Sequence, residues 1–171
     1  MEALEVIGSR RSIRKYTPKE VGEDVVRLLL AAAMAAPSAG NAQPWYFGVI
    51  DDRQLLQRIG IMHPNAEMAK DAPLAILACG DVSLEKYAGN WPLDCAAAVQ
   101  NLLLAAHAVG LGGVWTGVYP DPQRMQDFRE LLGLPDNIMP HTFVPLGYPA
   151  ERVAREYRFQ ESRIFRNRWP V

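Results

Sequence analysis

Four cationic side chains and one hydroxyl lie within six residues near the start of the chain, in the run Arg10-Arg11-Ser12-Ile13-Arg14-Lys15. Such a cluster repels itself unless an anion lies among its charges. Arginine suits phosphate because two parallel N–H groups reach two oxygens, and the serine hydroxyl adds a further donor. These residue types therefore favour an anion-binding centre. A solvated basic turn, or a small patch for nucleic acid or membrane, is the alternative interpretation.

Two further segments carry groups suited to a flat, polar ligand. The first is the loop Pro37-Ser38-Ala39-Gly40-Asn41-Ala42-Gln43-Pro44-Trp45, which places two amides between two prolines. The second is Gly112-Gly113-Val114-Trp115-Thr116-Gly117, whose glycines would let backbone N–H groups approach a ring closely. Taken singly, the two segments are equally consistent with a proline-bounded loop and a glycine-rich strand entry. Together with the arginine cluster, they would build a site for a phosphate-bearing heterocycle.

Side chains for other catalytic chemistries do not gather in the sequence. His63, His107 and His141 have no ligand-like spacing to each other or to the two cysteines, so we expect no metal site. We expect His107 to be a hydrogen-bonded histidine of the core. The sequence contains no nucleophile elbow, phosphate-binding Walker loop or dinucleotide fingerprint. We therefore expect no catalytic side chain, and any difficult chemistry would belong to a bound cofactor.

Length and composition limit the possible classes of protein. We expect the 171 residues to form one domain, 1–171, with a sizeable core. A hydrophobic content of 49% and a net charge of -1 exclude a disordered or strongly basic chain and disfavour general nucleic-acid binding. The N-terminus has no signal-peptide pattern and no apolar run is long enough to span a membrane, so we expect a cytoplasmic protein.

Apolar spacing, prolines and glycines predict the elements that position these groups. Residues 2–9 form a short helix that leads into the arginine cluster. We predict further helices at residues 23–35, 54–61, 92–109 and 123–132, and strands at residues 46–50, 73–79 and 142–146.

The longest predicted helix, at residues 92–109, is apolar almost all round. A small monomer cannot easily bury such a helix, so we infer that it also packs at the interface of a two-fold homodimer. The polar segment at residues 81–91 could act as a lid. The arginine- and aromatic-rich tail at residues 153–171 is expected to wrap around the partner subunit.

The motifs in combination resemble the nitroreductase family of flavin enzymes. Four motifs follow the order and spacing of its short members. They are Arg-Arg-Ser-Ile-Arg, Ala-Pro-Ser-Ala-Gly-Asn-Ala-Gln-Pro-Trp, and Gln-Asn-Leu-Leu-Leu-Ala-Ala, which runs into Gly-Leu-Gly-Gly-Val-Trp. The resemblance covers essentially the whole chain. It implies an α+β fold with a central, mostly antiparallel sheet flanked by helices. It also implies an intertwined homodimer with two FMN sites at the interface.

The resemblance also implies which residues contact FMN. These are Arg10, Arg11, Ser12 and Arg14 at the phosphate and pyrimidine; Pro37, Ser38, Asn41 and Gln43 in a loop from the partner subunit; Trp115, Thr116 and Gly117 at the dimethylbenzene ring and N5; and Arg168 at the phosphate, with Arg166 as the second choice. Asn65 falls near a further flavin contact of some members. Larger members often carry an acidic residue where this chain has Thr116, so we expect a hydroxyl or backbone donor there.

The implied activity is that of an FMN-dependent oxidoreductase. NAD(P)H would give a hydride to flavin N5, and the electrons would pass to a nitroaromatic, a quinone or an activated alkene. Arg14 or Arg11 would stabilise negative charge at the N1–C2 edge of the flavin. The alternatives are a flavin-binding sensor without turnover and a dehalogenating or oxygen-dependent enzyme of the same superfamily. The sequence does not choose the acceptor or distinguish NADH from NADPH.

Overall fold

A computed structural model describes residues 2–169 as an α+β fold. Its helices are α1 (Ala3–Ser9), α2 (Glu23–Met34), α3 (Arg53–Met62), α4 (Trp91–Ala108) and α5 (Pro122–Leu132). Its strands are β1 (Trp45–Ile50), β2 (Leu74–Asp81), β3 (Gly112–Gly113), β4 (Thr116–Gly117) and β5 (Ile138–Gly147). All the predicted helices and strands are present, with ends displaced by one to a few residues.

The strands form one sheet in the order β1-β2-β5-β3, and β4 also pairs with β5. Every pairing between these strands is antiparallel. All residues of β2 are buried, as expected for a strand covered on both faces. The predicted α+β class, with a mostly antiparallel central sheet flanked by helices, is confirmed.

Helices cover both faces of the sheet because successive strand side chains point in opposite directions. On one face, Ile76 of β2 packs in a core cluster with residues of α2 and α4. On the other face, the adjacent Leu77 packs in a cluster with α3 and with Phe128 of α5. The alternation fixes the register of β2, since a shift by one residue would exchange the two cores.

Helix α4 buries one side and exposes the other. Leu102 and Ala98 are fully buried, whereas Leu93 is 67% exposed, and Val109, directly after the helix, is 40% exposed. The neighbouring α1 exposes Leu4 at 82%. Part of the apolar surface of α4 is therefore not buried in the single chain, as the sequence analysis expected for so apolar a helix in a small monomer.

The polar segment predicted at residues 81–91 differs in extent from its prediction. The polar segment begins at residue 82 and ends at residue 90, because Asp81 completes β2 and Trp91 begins α4. The tail is extended and exposed, apart from one short 3-10 turn at Glu161–Arg163. Residues 170 and 171 of the predicted tail lie outside the described residues. Within residues 2–169, no helix has both the length and the apolar character needed to cross a bilayer.

Candidate functional site

The arginine cluster is fixed to the edge of the sheet immediately after α1. The Ile13 N–H donates to the Gly113 carbonyl over 3.1 Å, and Ser12 forms a parallel bridge with Gly113. A Cβ at Gly112 would lie 2.6 Å from Ile13 Cβ, so glycine is required for this close approach. The predicted anion site and the predicted glycine-rich segment are therefore neighbours in space.

The Arg11 guanidinium is occupied by backbone carbonyls. It donates from Nε to Ala154 over 3.1 Å, from Nη2 to Glu156 over 2.9 Å and from Nη1 to Arg10 over 2.7 Å. These bonds fasten the first residues of the tail across the cluster. Arg11 therefore acts on the conformation of this chain, and its fork has little remaining capacity for a ligand.

Arg10 is the available cation of the cluster. Its half-buried guanidinium makes no hydrogen bond or ion pair with any other group of residues 2–169. Burial lowers the pKa of Arg10, and the charges of Arg11 and Arg158 lower it further. Positive charges thus converge here, and no carboxylate of the described residues pairs with Arg10 or Arg11, an arrangement that a bound anion would stabilise.

His107 was expected to lie in the core, but it is only partly buried and borders the arginine cluster. Its Nε2 is 2.8 Å from the Ser9 hydroxyl, which itself donates to the Glu5 carbonyl. Burial lowers the pKa of His107, followed in size by the charges of Arg10 and Arg11. The histidine is hydrogen-bonded, as predicted, and its pKa depends on the charge of the anion site.

A cavity of about 410 Å³ lies beside the cluster. It brings together Arg14, Asn65, Trp115, Thr116 and Gly117, five of the residues named from the sequence, with Pro64, Glu67, Met68 and Val114 completing the wall. Trp115 is 38% exposed and presents an aromatic surface at the opening. The cavity therefore combines a cation, a carboxamide and an aromatic ring.

Within this cavity wall, the Thr116 side chain is turned into the protein. The hydroxyl donates to the Phe143 carbonyl and the residue is only 2% exposed. Of the two donors expected at this position, a hydroxyl or a backbone group, the hydroxyl is therefore already bound within the chain. The Gly117 carbonyl accepts from His63 Nε2 over 3.0 Å and from Arg124 Nη1 over 3.1 Å.

The loop from Pro37 to Gln43 has a defined, hydrogen-bonded conformation, but it does not line this cavity in the single chain. Gly40, Asn41 and Gln43 all have positive φ, at 60°, 54° and 49°. Non-glycine residues in this region are strained, and such strain often accompanies binding sites. The Ser38 hydroxyl accepts from the Gln43 N–H over 2.9 Å and closes the loop.

Two other groups hold this loop in place. The buried carboxylate of Asp94 accepts from the Ala39 N–H over 2.9 Å. Lys86 donates to the Gly40 carbonyl over 2.6 Å, so the polar segment predicted as a lid packs on the loop. Asp94 was missed by the sequence reasoning, although it is the one acidic residue in the apolar run from 92 to 109.

Arg168 lies on the exposed tail, and its contact with the phosphate stays a prediction. Arg158, which the sequence reasoning missed, contributes its charge beside Arg10. His63 and Arg124 were also missed. Their side chains bind the Gly117 carbonyl and do not line the cavity, so no motif in the sequence marks them.

A larger apolar groove of about 670 Å³ lies elsewhere, between β1 and the C-terminal end of α5. Tyr46, Leu55, Leu77 and Leu132 are among its lining residues. None of the residues predicted to contact FMN lines it. Size alone therefore does not locate the site, and the smaller cavity beside the arginine cluster has the matching chemistry.

Known proteins and a family profile match this chain in sequence and in fold. The profile of the Nitroreductase family matches residues 7–61 and 60–148. A relative from Methanothermobacter thermautotrophicus, provisionally named NADH dehydrogenase/NAD(P)H nitroreductase, is 48% identical over 169 residues, covering 99% of this chain and 88% of the relative.

Solved structures show the same fold. An FMN-dependent nitroreductase from Clostridium difficile R20291 superposes with a TM-score of 0.89 at 27% identity, covering 97% of this chain and 99% of that one. A provisionally named nitroreductase from Desulfovibrio desulfuricans, solved in complex with FMN, gives 0.85 at 30% identity, with 99% of both chains covered. The profile match extends over most of the sequence, and the fold agrees throughout. This chain therefore belongs to the nitroreductase family.

Proposed function

We propose that this chain is an FMN-dependent oxidoreductase that passes a hydride from NAD(P)H to an organic acceptor such as a nitroaromatic, a quinone or an activated alkene. The single observation that carries the proposal is the available Arg10 cation beside a cavity lined by Arg14, Trp115 and Gly117. Family membership and the names of the relatives, which include NAD(P)H nitroreductase and FMN reductase [NAD(P)H], support it.

The phosphate of FMN fits the arginine cluster. Arg10 and Arg158 repel each other in the free protein, and a dianionic group between them would attract both cations and outweigh that repulsion. Arg10 and the Ser12 hydroxyl supply the donors for this end of the ligand. The isoalloxazine ring fits the adjacent cavity, whose volume of about 410 Å³ is within the usual range of ligand sites.

The residues of this chain have distinct tasks in the proposed reaction. When bound, FMN supplies the hydride chemistry, which no protein side chain can perform. Arg14 lines the cavity and would stabilise negative charge at the pyrimidine edge of the ring. Arg11, the other candidate for this task, is held by the tail carbonyls. Trp115 offers a surface on which a planar reactant can stack.

We further propose that the site is completed by a two-fold partner. Pro37, Ser38, Asn41 and Gln43 do not line the cavity of their own chain, which is the expected situation if they serve the partner's flavin. The exposed apolar residues of α1 and α4 supply a surface for such an interface. The tail, with Tyr157 at 87% and Trp169 at 74% exposed, has aromatic side chains available to wrap the partner and return Arg168 to the phosphate.

The first test uses the purified protein. We expect a yellow protein whose flavin spectrum is bleached by NAD(P)H without oxygen and recovers when an acceptor is added. A protein that neither contains nor binds added FMN would refute the proposal. Bound FMN without steady-state NAD(P)H oxidation would favour a flavin-binding sensor. Activity that requires a halogenated substrate or oxygen would favour the dehalogenating or oxygen-dependent alternative.

The shared site has a separate test. Dilution to monomer should release FMN, because Asn41 and Gln43 would come from the other subunit. Sedimentation velocity, followed at a flavin wavelength and at 280 nm, measures both events together. A monomer that keeps its flavin would contradict the shared site. The single domain at 1–171 and the cytoplasmic location stay predictions.

A further inference from the structure

One fully buried histidine joins two walls of the cavity. His63 follows α3 and is only 1% exposed. Its Nδ1 accepts from the Asn65 N–H over 3.1 Å, and its Nε2 lies 3.0 Å from the Gly117 carbonyl. Asn65 and Gly117 line the cavity from different segments of the chain. The imidazole is thus a direct connection between the two segments.

The partners dictate the protonation state of the ring. A backbone N–H can only donate, so Nδ1 must be unprotonated, and a carbonyl can only accept, so Nε2 must carry the proton. Burial lowers the pKa of His63, against the opposing effect of the hydrogen bond to Gly117. The neutral Nε2–H form is therefore the one that holds both walls.

A second donor fixes the same carbonyl. Arg124, in the first turn of α5, donates from Nη1 to Gly117 over 3.1 Å, and its Nη2 lies 3.4 Å from the Asp121 carboxylate. Asp121 also caps α5 by accepting from the Arg124 N–H over 3.0 Å. The position of Gly117 is thus determined from α3 and from α5 at once.

We propose that His63 is a positioning residue of the flavin site, which sets the separation of the Asn65 segment and the Thr116–Gly117 strand. The inference rests on the proposed function, since the cavity is taken to hold the isoalloxazine ring. His63 does not line the cavity, and it acts through the two backbone groups that it holds. With one hydrogen bond lost, the corresponding wall moves independently and the cavity is no longer preformed for a rigid ring.

Two substitutions each preserve one of the hydrogen bonds. His63→Asn keeps an acceptor near the position of Nδ1, and His63→Gln keeps a donor near the position of Nε2. His63→Leu removes both. Ile59→Val is the matched control, because Ile59 lies in α3 one turn before His63, is fully buried and does not line the cavity. Arg124→Gln removes the second donor from Gly117 at a partly exposed side chain.

Two readouts describe the flavin site: the dissociation constant of FMN, measured by quenching of flavin fluorescence, and the visible spectrum of the bound flavin. Urea unfolding measures the stability of each variant. We expect His63→Leu to weaken FMN binding at least tenfold and to shift the flavin bands. His63→Asn, His63→Gln and Arg124→Gln should have smaller effects of the same kind. Ile59→Val should bind FMN within twofold of the wild type even where its unfolding midpoint falls comparably.

The inference is overturned if the His63 variants bind FMN as Ile59→Val does, with unchanged spectra. Should His63→Leu not fold, the same criterion applies to His63→Asn, His63→Gln and Arg124→Gln. A wild-type protein that does not bind FMN overturns the proposed function and this inference with it. Wild-type binding with unaffected variants overturns this inference alone.

Discussion

Replacing Arg10 with alanine should weaken FMN binding without weakening the folded apoprotein. The guanidinium of Arg10 has no protein partner within residues 2–169 and lies close to the charges of Arg11 and Arg158. Removing it costs the apoprotein no hydrogen bond and reduces repulsion among the remaining cations.

The expected loss of affinity follows from the bonds that a phosphate would form. A hydrogen bond to a charged group contributes about 1.5–3 kcal/mol. If Arg10→Ala removes one such set, the dissociation constant of FMN should rise roughly 10- to 150-fold, since about 1.4 kcal/mol corresponds to a factor of ten. Riboflavin lacks the phosphate, so its binding should change much less.

Two assays separate the expected loss of FMN affinity from the expected absence of a loss in apoprotein stability. Fluorescence quenching gives the dissociation constants of FMN and riboflavin, and urea unfolding of the apoprotein gives its free energy of unfolding. Arg53→Ala is the control, because Arg53 donates to the carbonyls of Lys70 and Ala72 over 2.8 and 3.2 Å. That variant should lose stability and keep its preference for FMN over riboflavin.

Two results would contradict a phosphate-binding role for Arg10. Unchanged FMN affinity in Arg10→Ala would remove Arg10 from the site. An equal loss of FMN and riboflavin affinity, accompanied by a lower free energy of unfolding, would mean that Arg10 supports the fold and does not recognise the phosphate.

Other measurements test the surrounding groups. Burial lowers the pKa of His141 to about 4, so its contribution to stability is full above its ordinary pKa of 6.5 and is lost as the pH falls toward 4. Urea titrations should show less stability near pH 5 than near pH 7, and His141→Phe should reduce this difference by about 2 kcal/mol. Asp94→Ala should cost about 1–3 kcal/mol, since the Ala39 N–H loses its partner, and should speed proteolysis within the loop at 37–43. FMN binding should raise the depressed pKa of His107, because the phosphate offsets the charge of Arg10, and calorimetry near pH 6 in buffers of different ionisation enthalpy should detect proton uptake.

Several features of the fold follow from local sequence alone. The Asp52 side chain accepts from the Leu55 N–H and starts α3, and Gly133 takes the left-handed conformation that ends α5. The run from Leu74 to Cys79 is continuously apolar because β2 is covered on both faces. Each of these signals depends on residues within one turn or one strand, so it can be recognised without knowing which other elements pack against it.

The ends of the polar segment were harder to predict. Asp81 looked like the start of a loop, yet it completes β2, where its carboxylate accepts from Ser83 and from the Asn137 side chain. Trp91 looked like part of the same loop, but it packs against Gly80 and begins α4. Both assignments depend on residues that are distant in sequence or on the space left by a glycine across the sheet.

The sequence by itself determined the positions of the helices and strands and the residue types of an anion site, because apolar period, prolines, glycines and charge clusters act locally. The fold class followed from the resemblance to the nitroreductase family. Only the tertiary structure decided how the arginines divide their tasks. Arg10 and Arg11 are adjacent and chemically identical, but the tail carbonyls bind the fork of Arg11 and leave that of Arg10 available. Likewise, His63 gained its connection to Gly117 only when chain segments 54 residues apart met. Roles of this kind depend on which groups meet in space, and spacing along the chain does not contain that information.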